Sequence, residues 1–224
     1  MAFLVAIEGI DGSGKGTQAQ RLQATLIDSG ETAALISFPR YTSTLFGNAV
    51  GDFLNGRFGA LDDVSPFLVS LLYAGDRFES RQLLCEALRR HDVVVLDRYV
   101  ASNVAHQGAK LTGEQRREFV DWIRTIEYEI FELPRPDLVV LLDLPARKAQ
   151  QLIARKRTRT YTEKAADLQE SDLKYLEKVR GLYLELAAAE PGWYRLECLP
   201  GESLRSIDEI ADEVRTVLAD RRNT

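Results

Sequence analysis

The chain has 224 residues, 45% of them hydrophobic and 28% charged, and a formal net charge of -5. That length and balance fit one soluble globular domain with a sizeable core. The acidic balance argues against a general nucleic-acid binder, though not against a small anionic ligand held in a local basic pocket.

The first apolar run, "FLVAI" at 3–7, reads as a buried strand. It is too short for a signal or membrane helix, and Glu8 interrupts it. A glycine-rich loop follows, then a helix over 15–28 with apolar Leu22, Leu26 and Ile27. "TAALISF" (32–38) fits a second strand ending at Pro39, with helices at about 44–55 and 65–90. "DVVVLD" (92–97) reads as the third strand, followed by a polar loop and a helix at about 113–131. The fourth strand is "DLVVLLDL" (137–144), and a helix from 146 runs into a basic, Thr-rich stretch at 155–162. A long helix over roughly 166–189, a last strand at 193–199 and a helix from Ser206 to Leu218 complete the pattern. Short apolar strands alternating with helices predict an α/β fold, a parallel sheet covered on both faces. Ligands collect beyond the carboxyl ends of such strands, where the glycine loop, Pro39, Asp97 and Asp143 all fall. Cys85 and Cys198 are far apart; one disulfide is arithmetically possible, but two buried thiols of a cytosolic protein are the better reading.

"GIDGSGKGTQ" (9–18) spaces Gly9, Gly14 and Lys15 as in a phosphate-binding loop, G-x-x-x-x-G-K-[ST]. Its glycines let backbone N–H groups turn toward phosphate oxygens, the following helix adds its positive end, and Lys15 can follow the transferring charge. Gly9, Ile10, Asp11, Gly12, Ser13, Gly14, Lys15, Gly16 and Thr17 are therefore the candidate donor-nucleotide residues. The position after the lysine, ordinarily a Mg²⁺-binding hydroxyl, is Gly16. Thr17 could supply that oxygen, or the ion could be held through water and a strand-end acid such as Asp97. Asp143 is similarly placed, with a structural cap as its alternative role because Pro145 opens a helix just beyond.

Arg40 in "FPRY", Arg77 in "AGDRFE" and Arg98 in "LDRY" each adjoin apolar or aromatic residues. Converging at the rim of a sheet, they would clamp a monophosphate and offset charge during phosphoryl transfer. Arg155, Lys156, Arg157 and Arg159 suggest a basic lid over about 155–167 that closes on ATP and excludes water.

Taken in order, "EGIDGSGKGTQ", "SFPRYTSTLFGNAVGDFLNGRFG", "VSPFLVSLLYAGDRFES", "VVVLDRYVASNVAHQG", "PDLVVLLDLP" and "DLQESDLKYLEKVRGLYLELA" resemble the thymidylate kinase family over essentially the whole chain. The loop alone would not separate that family from adenylate kinases, but the spacing of "FPRY", "DRFE" and "DRYVASN" does. The resemblance implies a phosphate-loop nucleoside monophosphate kinase fold, with a five-stranded parallel sheet, helices on both faces and a short basic lid. It also implies ATP:dTMP phosphotransfer with Mg²⁺ in a cytoplasmic homodimer whose partner is a small-molecule substrate, not nucleic acid or membrane.

Carried over by residue, Asp11 looks like the loop acid near the sugar 3′-hydroxyl and the metal. Arg40 and Arg98 look like the 5′-phosphate contacts, with Phe38 and Pro39 shaping the pocket. Arg77 resembles the family arginine at the base O4 edge, which moves it off the phosphate, and Asn103 resembles a contact to base or sugar. Leu72 stands where a stacking phenylalanine is expected, with Tyr73 beside it. His106, followed by Gln107, occupies a position where relatives often carry Tyr or Phe next to the deoxyribose. Gly12, where one subgroup carries arginine, matches the subgroup whose catalytic arginine comes from the lid, here Arg155 or Arg159. Asp167, Glu170 and Asp172 resemble acids that organise the closed lid. Competing readings are a kinase for dUMP, UMP or AMP, and a nucleotide-regulated switch protein.

Overall fold

The computed structural model describes residues 2–60, 63–154 and 172–223. Its sheet has five strands: β1 (Phe3–Glu8), β2 (Ala33–Ser37), β3 (Val93–Asp97), β4 (Leu138–Asp143) and β5 (Trp193–Glu197). They are all parallel, in the order β2-β3-β1-β4-β5. The chain leaves β1 between β3 and β4, where connections diverge to the two halves of the sheet, so a crevice opens at that carboxyl end. Register aligns the ends there, with Ile7 beside Asp97 on one side and Val140 on the other.

Alternation along each strand divides the core in two. Val5, Ile7, Val95 and Val140 face one hydrophobic layer; Leu4, Ala6, Val94, Leu96 and Val139 face the other. The first layer is closed by α1 (Lys15–Asp28), α7 (Ala146–Ile153), α8 (Leu173–Ala189) and α9 (Ile207–Arg222). The second is closed by α4 (Arg81–Arg90), α5 (Val100–Gly108) and α6 (Gly113–Arg124). A satellite cluster of Val50, Phe53, Leu54 and Val69 joins α2 (Leu45–Leu54) to α3 (Pro66–Glu79).

Three stretches differ from the sequence reading. The helix expected over 65–90 is two, because the backbone turns at Ser80 (φ -90, ψ -1) between α3 and α4. The helix expected to 131 ends as α at Arg124 and continues as a wider π turn over Thr125–Ile130. The stretch expected to be a polar loop before 113 contains α5. Its polar residues Ser102, Asn103, His106 and Gln107 are all buried, so its hydrophilic face points inward and hides the helical pattern. Both cysteines are free, Cys198 buried and Cys85 half-buried. No helix among the described residues is long and apolar enough to cross a membrane.

Candidate active site

The loop between β1 and α1 is built on left-handed glycines, two of which show different demands. Gly14 (φ +94) is the N-cap of α1, and a side chain there would meet nothing, so only the backbone angle requires glycine. Gly12 (φ +83) is also pressed against α7, where a Cβ would lie 2.5 Å from the Ala149 carbonyl oxygen. Helix α7 thus holds the loop from behind.

Lys15 opens α1 and is buried; its Nζ donates to the Ile10 carbonyl at 2.7 Å. Burial, reinforced by the Arg98 charge, lowers its pKa from the ordinary 10.5 to about 7, against the pull of Asp11, Asp97 and Glu8. An anionic phosphate beside it would restore the charged form.

Gly16, the apparent defect in the loop, lies against the Asp97 carboxylate. A Cβ there would stand 3.0 Å from Asp97 Oδ2, a tight contact that the carboxylate would have to relieve by moving a few tenths of an ångström. Among the described residues the Asp97 carboxylate makes no hydrogen bond or ion pair, and buried Ser13 Oγ likewise has no partner. An oxygen-only donor set beside a phosphate cradle suits Mg²⁺, which keeps several waters and takes few protein ligands. A dedicated cage of three or more ligands is absent among the described residues. Asp143 does not contribute. It is buried and held by Arg180 (2.6 Å) and Arg195 (2.6 Å), so it ties β4 to α8 and β5. Thr17 is half-buried on the first turn of α1.

Arg98 follows β3 in the left-handed region (φ 68), which costs a side-chain-bearing residue about 1–2 kcal/mol. Its contacts hold it there. The backbone N–H donates to the Ile7 carbonyl (3.1 Å), Nη1 to Ser102 Oγ (3.1 Å), and Nη2 pairs with Asp11 of the loop. Nη1 also faces His106 Nε2 at 3.4 Å. Burial pushes the His106 pKa down to about 3, so the ring is neutral. Nε2, facing a guanidinium, must be the acceptor; the proton then sits on Nδ1, 3.3 Å from Tyr175 Oη. The Tyr175 hydroxyl in turn donates to the His106 carbonyl at 2.8 Å.

Behind this group lies Glu8, fully buried at the end of β1. One carboxylate oxygen accepts from Tyr99 N–H (2.7 Å) and Ser102 N–H (3.2 Å), the other from Ser102 Oγ (2.6 Å) and Tyr183 Oη (2.9 Å). Burial raises its pKa, while these bonds and Arg98 work the other way. Glu8 thereby fixes the start of α5. Sequence reasoning used Glu8 only as an interruption of an apolar run; an acid inside such a strand was itself the signal.

Across the cleft, the Phe38–Pro39 peptide is cis. Arg40 N–H donates to buried Asp76 (2.9 Å) and Arg40 Nη1 to Ser80 Oγ (3.1 Å), so the break between α3 and α4 serves Arg40. Arg77 is buried and paired through two nitrogens with Glu127 of the π turn. It does not converge with Arg98 on one group, which separates it from the phosphate-clamp reading of three arginines. Asn103 joins the same acid, and both side-chain atoms of fully buried Gln107 lack partners among the described residues. Leu72 and Tyr73 pack against the α2–α3 satellite cluster. Asp76 and Glu127 were missed from sequence. Arg155, Arg159, Asp167, Glu170 and the lid span 155–167 lie outside the described residues, whereas Asp172 caps α8 by accepting from Tyr175 N–H (3.1 Å). A cavity of about 630 Å³ is lined by Glu8, Tyr99, Arg124 and Trp193 but by no loop residue, and it is not the nucleotide site.

A family model described as thymidylate kinase matches residues 7–200, spanning every element of this site. The chain belongs to the thymidylate kinase family. It is 35% identical over 191 residues to the thymidylate kinase of Mycobacterium tuberculosis H37Rv, covering 85% of this chain and 87% of the relative. A probable thymidylate kinase of Thermococcus onnurineus is 33% identical over 217 residues, 95% of each chain. The solved thymidylate kinase of Candida albicans matches with a TM-score of 0.76 at 24% identity, over 99% of this chain and 93% of that one, and supports the fold. Family membership carries with it ATP-dependent phosphotransfer to dTMP, forming dTDP.

Proposed function

We propose that the loop residues Gly9–Thr17 hold the ATP phosphates while Arg40, Arg98 and the α5 face hold dTMP, so that the γ-phosphate passes directly to the 5′-phosphate. The observation that carries this division is the ion pair between Asp11 of the donor loop and Arg98, whose guanidinium also reaches Ser102 and His106. It links the two half-sites through one charge. Lys15, charged in the presence of phosphate, would follow the γ-phosphate, and Arg98 would offset charge on the acceptor. The acceptor phosphate is already largely ionised near neutral pH, so no strong base is required. Asp97 and Thr17 are the residues to hold Mg²⁺, which when bound neutralises charge on the transferring phosphate. Arg77 and Asn103 would read the base edge, His106 and Gln107 would lie along the sugar, and Phe38, Pro39, Leu72 and Tyr73 would enclose the base. Arg155 and Arg159 supply lid charge in this reading.

Leu45 and Phe46 on α2, and Leu68 and Phe78 on α3, are exposed apolar side chains that a second copy would cover. A cytoplasmic homodimer is the assembly proposed.

The test is Lys15→Ala: turnover of ATP with dTMP should fall by about 10²–10³ while the thermal melt persists. Near-normal turnover would sink the mechanism.

A further inference from the structure

The pair Arg77–Glu127 is buried on both sides, with Arg77 at 2% and Glu127 at 0% exposure. Glu127 Oε2 accepts from Arg77 Nε, and Oε1 accepts from both Arg77 Nη2 and Asn103 Nδ2, the last at 2.9 Å. Asn103 Nδ2 spends its other hydrogen on the Ser70 carbonyl at 3.0 Å. A carboxylate and a carbonyl can only accept, so the side of the Asn103 amide facing them must be the NH₂. Among the described residues, that leaves Asn103 Oδ1 buried and without a partner and Arg77 Nη1 with no hydrogen bond. Both side chains are held on Glu127 Oε1, which leaves one free donor on Arg77 and one free acceptor on Asn103.

We propose that Glu127 is the positioning residue that sets the hydrogen-bond polarity of the base pocket. It fixes Arg77 as donor and Asn103 as acceptor, and so selects an imide edge over an amidine edge. Thymine and uracil present a carbonyl acceptor beside an N–H donor, which match both groups. Cytosine presents an amino donor beside a ring-nitrogen acceptor, and both are opposed. Glu127 reaches this place because the π turn, with Ile126, carries it on from the buried stripe Phe119 and Ile123 of α6. The inference rests on the reading in which Arg77 and Asn103 face the base.

The test compares kcat/KM for dTMP, dUMP and dCMP in the wild type, Glu127→Gln and Glu127→Asp, with thermal melts of all three. In Glu127→Gln one acceptor becomes an NH₂ that opposes Arg77 or Asn103, and the base-reading pair loses its fixed polarity. The dTMP:dCMP preference should then fall tenfold or more, by about the discrimination one mispaired buried hydrogen bond supplies. The loss should lie mainly in KM for dTMP. The dTMP:dUMP ratio should not move, because both bases carry the same edge. Glu127→Asp keeps two acceptors and the charge, and should hold the dTMP:dCMP ratio within about threefold of wild type even where kcat/KM drops.

A uniform loss on all three substrates in a folded Glu127→Gln would overturn the inference, since a structural role lowers them together. So would collapse of the ratio in Glu127→Asp, and that arm decides if Glu127→Gln does not fold. A wild type that fails to phosphorylate dTMP would instead break the underlying reading, and it would do so before any variant is compared.

Discussion

Lys15 gives the sharpest quantitative test of the donor site. Burial holds its pKa near 7 instead of 10.5, so in the free protein the ammonium is lost as pH rises through 7. Phosphate binding favours the charged form and raises the pKa in the complex. Affinity for Mg·ATP should therefore be constant below pH 7 and fall by about tenfold per unit above it, reaching about a hundredfold loss by pH 9. His106, pushed down to about 3, stays neutral over this range and adds no slope. Isothermal titration across pH 6–9 reads the effect directly, and Lys15→Arg, charged throughout, should flatten the curve. A flat wild-type profile, or the same slope in Lys15→Arg, would refute the reasoning. The same shift has the opposite consequence for folding. The unfolded chain binds the extra proton between about pH 7 and 10.5, so this group makes the free protein more stable as pH rises across that window.

The loop and its backing make two further predictions. Gly12→Ala combines a left-handed angle with a Cβ 2.5 Å from the Ala149 carbonyl and should cost about 2–5 kcal/mol by chemical denaturation, whereas Gly14→Ala, in open space, should cost about 1–2. Equal costs would mean that α7 does not press on the loop. Glu8→Gln places an NH₂ among four donors and should lose about 1–3 kcal/mol, seen as a fall in Tm of about 3–10 °C; a melt within about a degree of wild type would refute that role.

Strands were legible because each is a short apolar run ending near the crevice, and the glycine loop because its spacing is specific. The parts hidden in the sequence share one cause: polar residues turned inward. Helix α5 looked like a loop because Ser102, Asn103, His106 and Gln107 face the site, which inverts the amphipathic pattern. Glu8 and Glu127 occupy strand and helix positions that patterning assigns to apolar residues, so their role emerges only once their partners from distant segments are in place. Asp97 and Asp143 end neighbouring strands with similar local sequence. Only tertiary context separates them: Arg180 and Arg195 neutralise Asp143, while Asp97 lies open beside Gly16. Gly16 could be read from sequence as a missing hydroxyl but not as the neighbour of the Asp97 carboxylate.

A thymidylate acceptor site served by a donor loop of adenylate-kinase outline should choose dTMP over AMP. An acceptor panel tests it most directly: purified protein with Mg·ATP and, separately, dTMP, dUMP, UMP, AMP and dCMP, with diphosphate formation followed by chromatography. The highest kcat/KM is expected with dTMP. A clear preference for AMP, or no diphosphate from any acceptor, would contradict it.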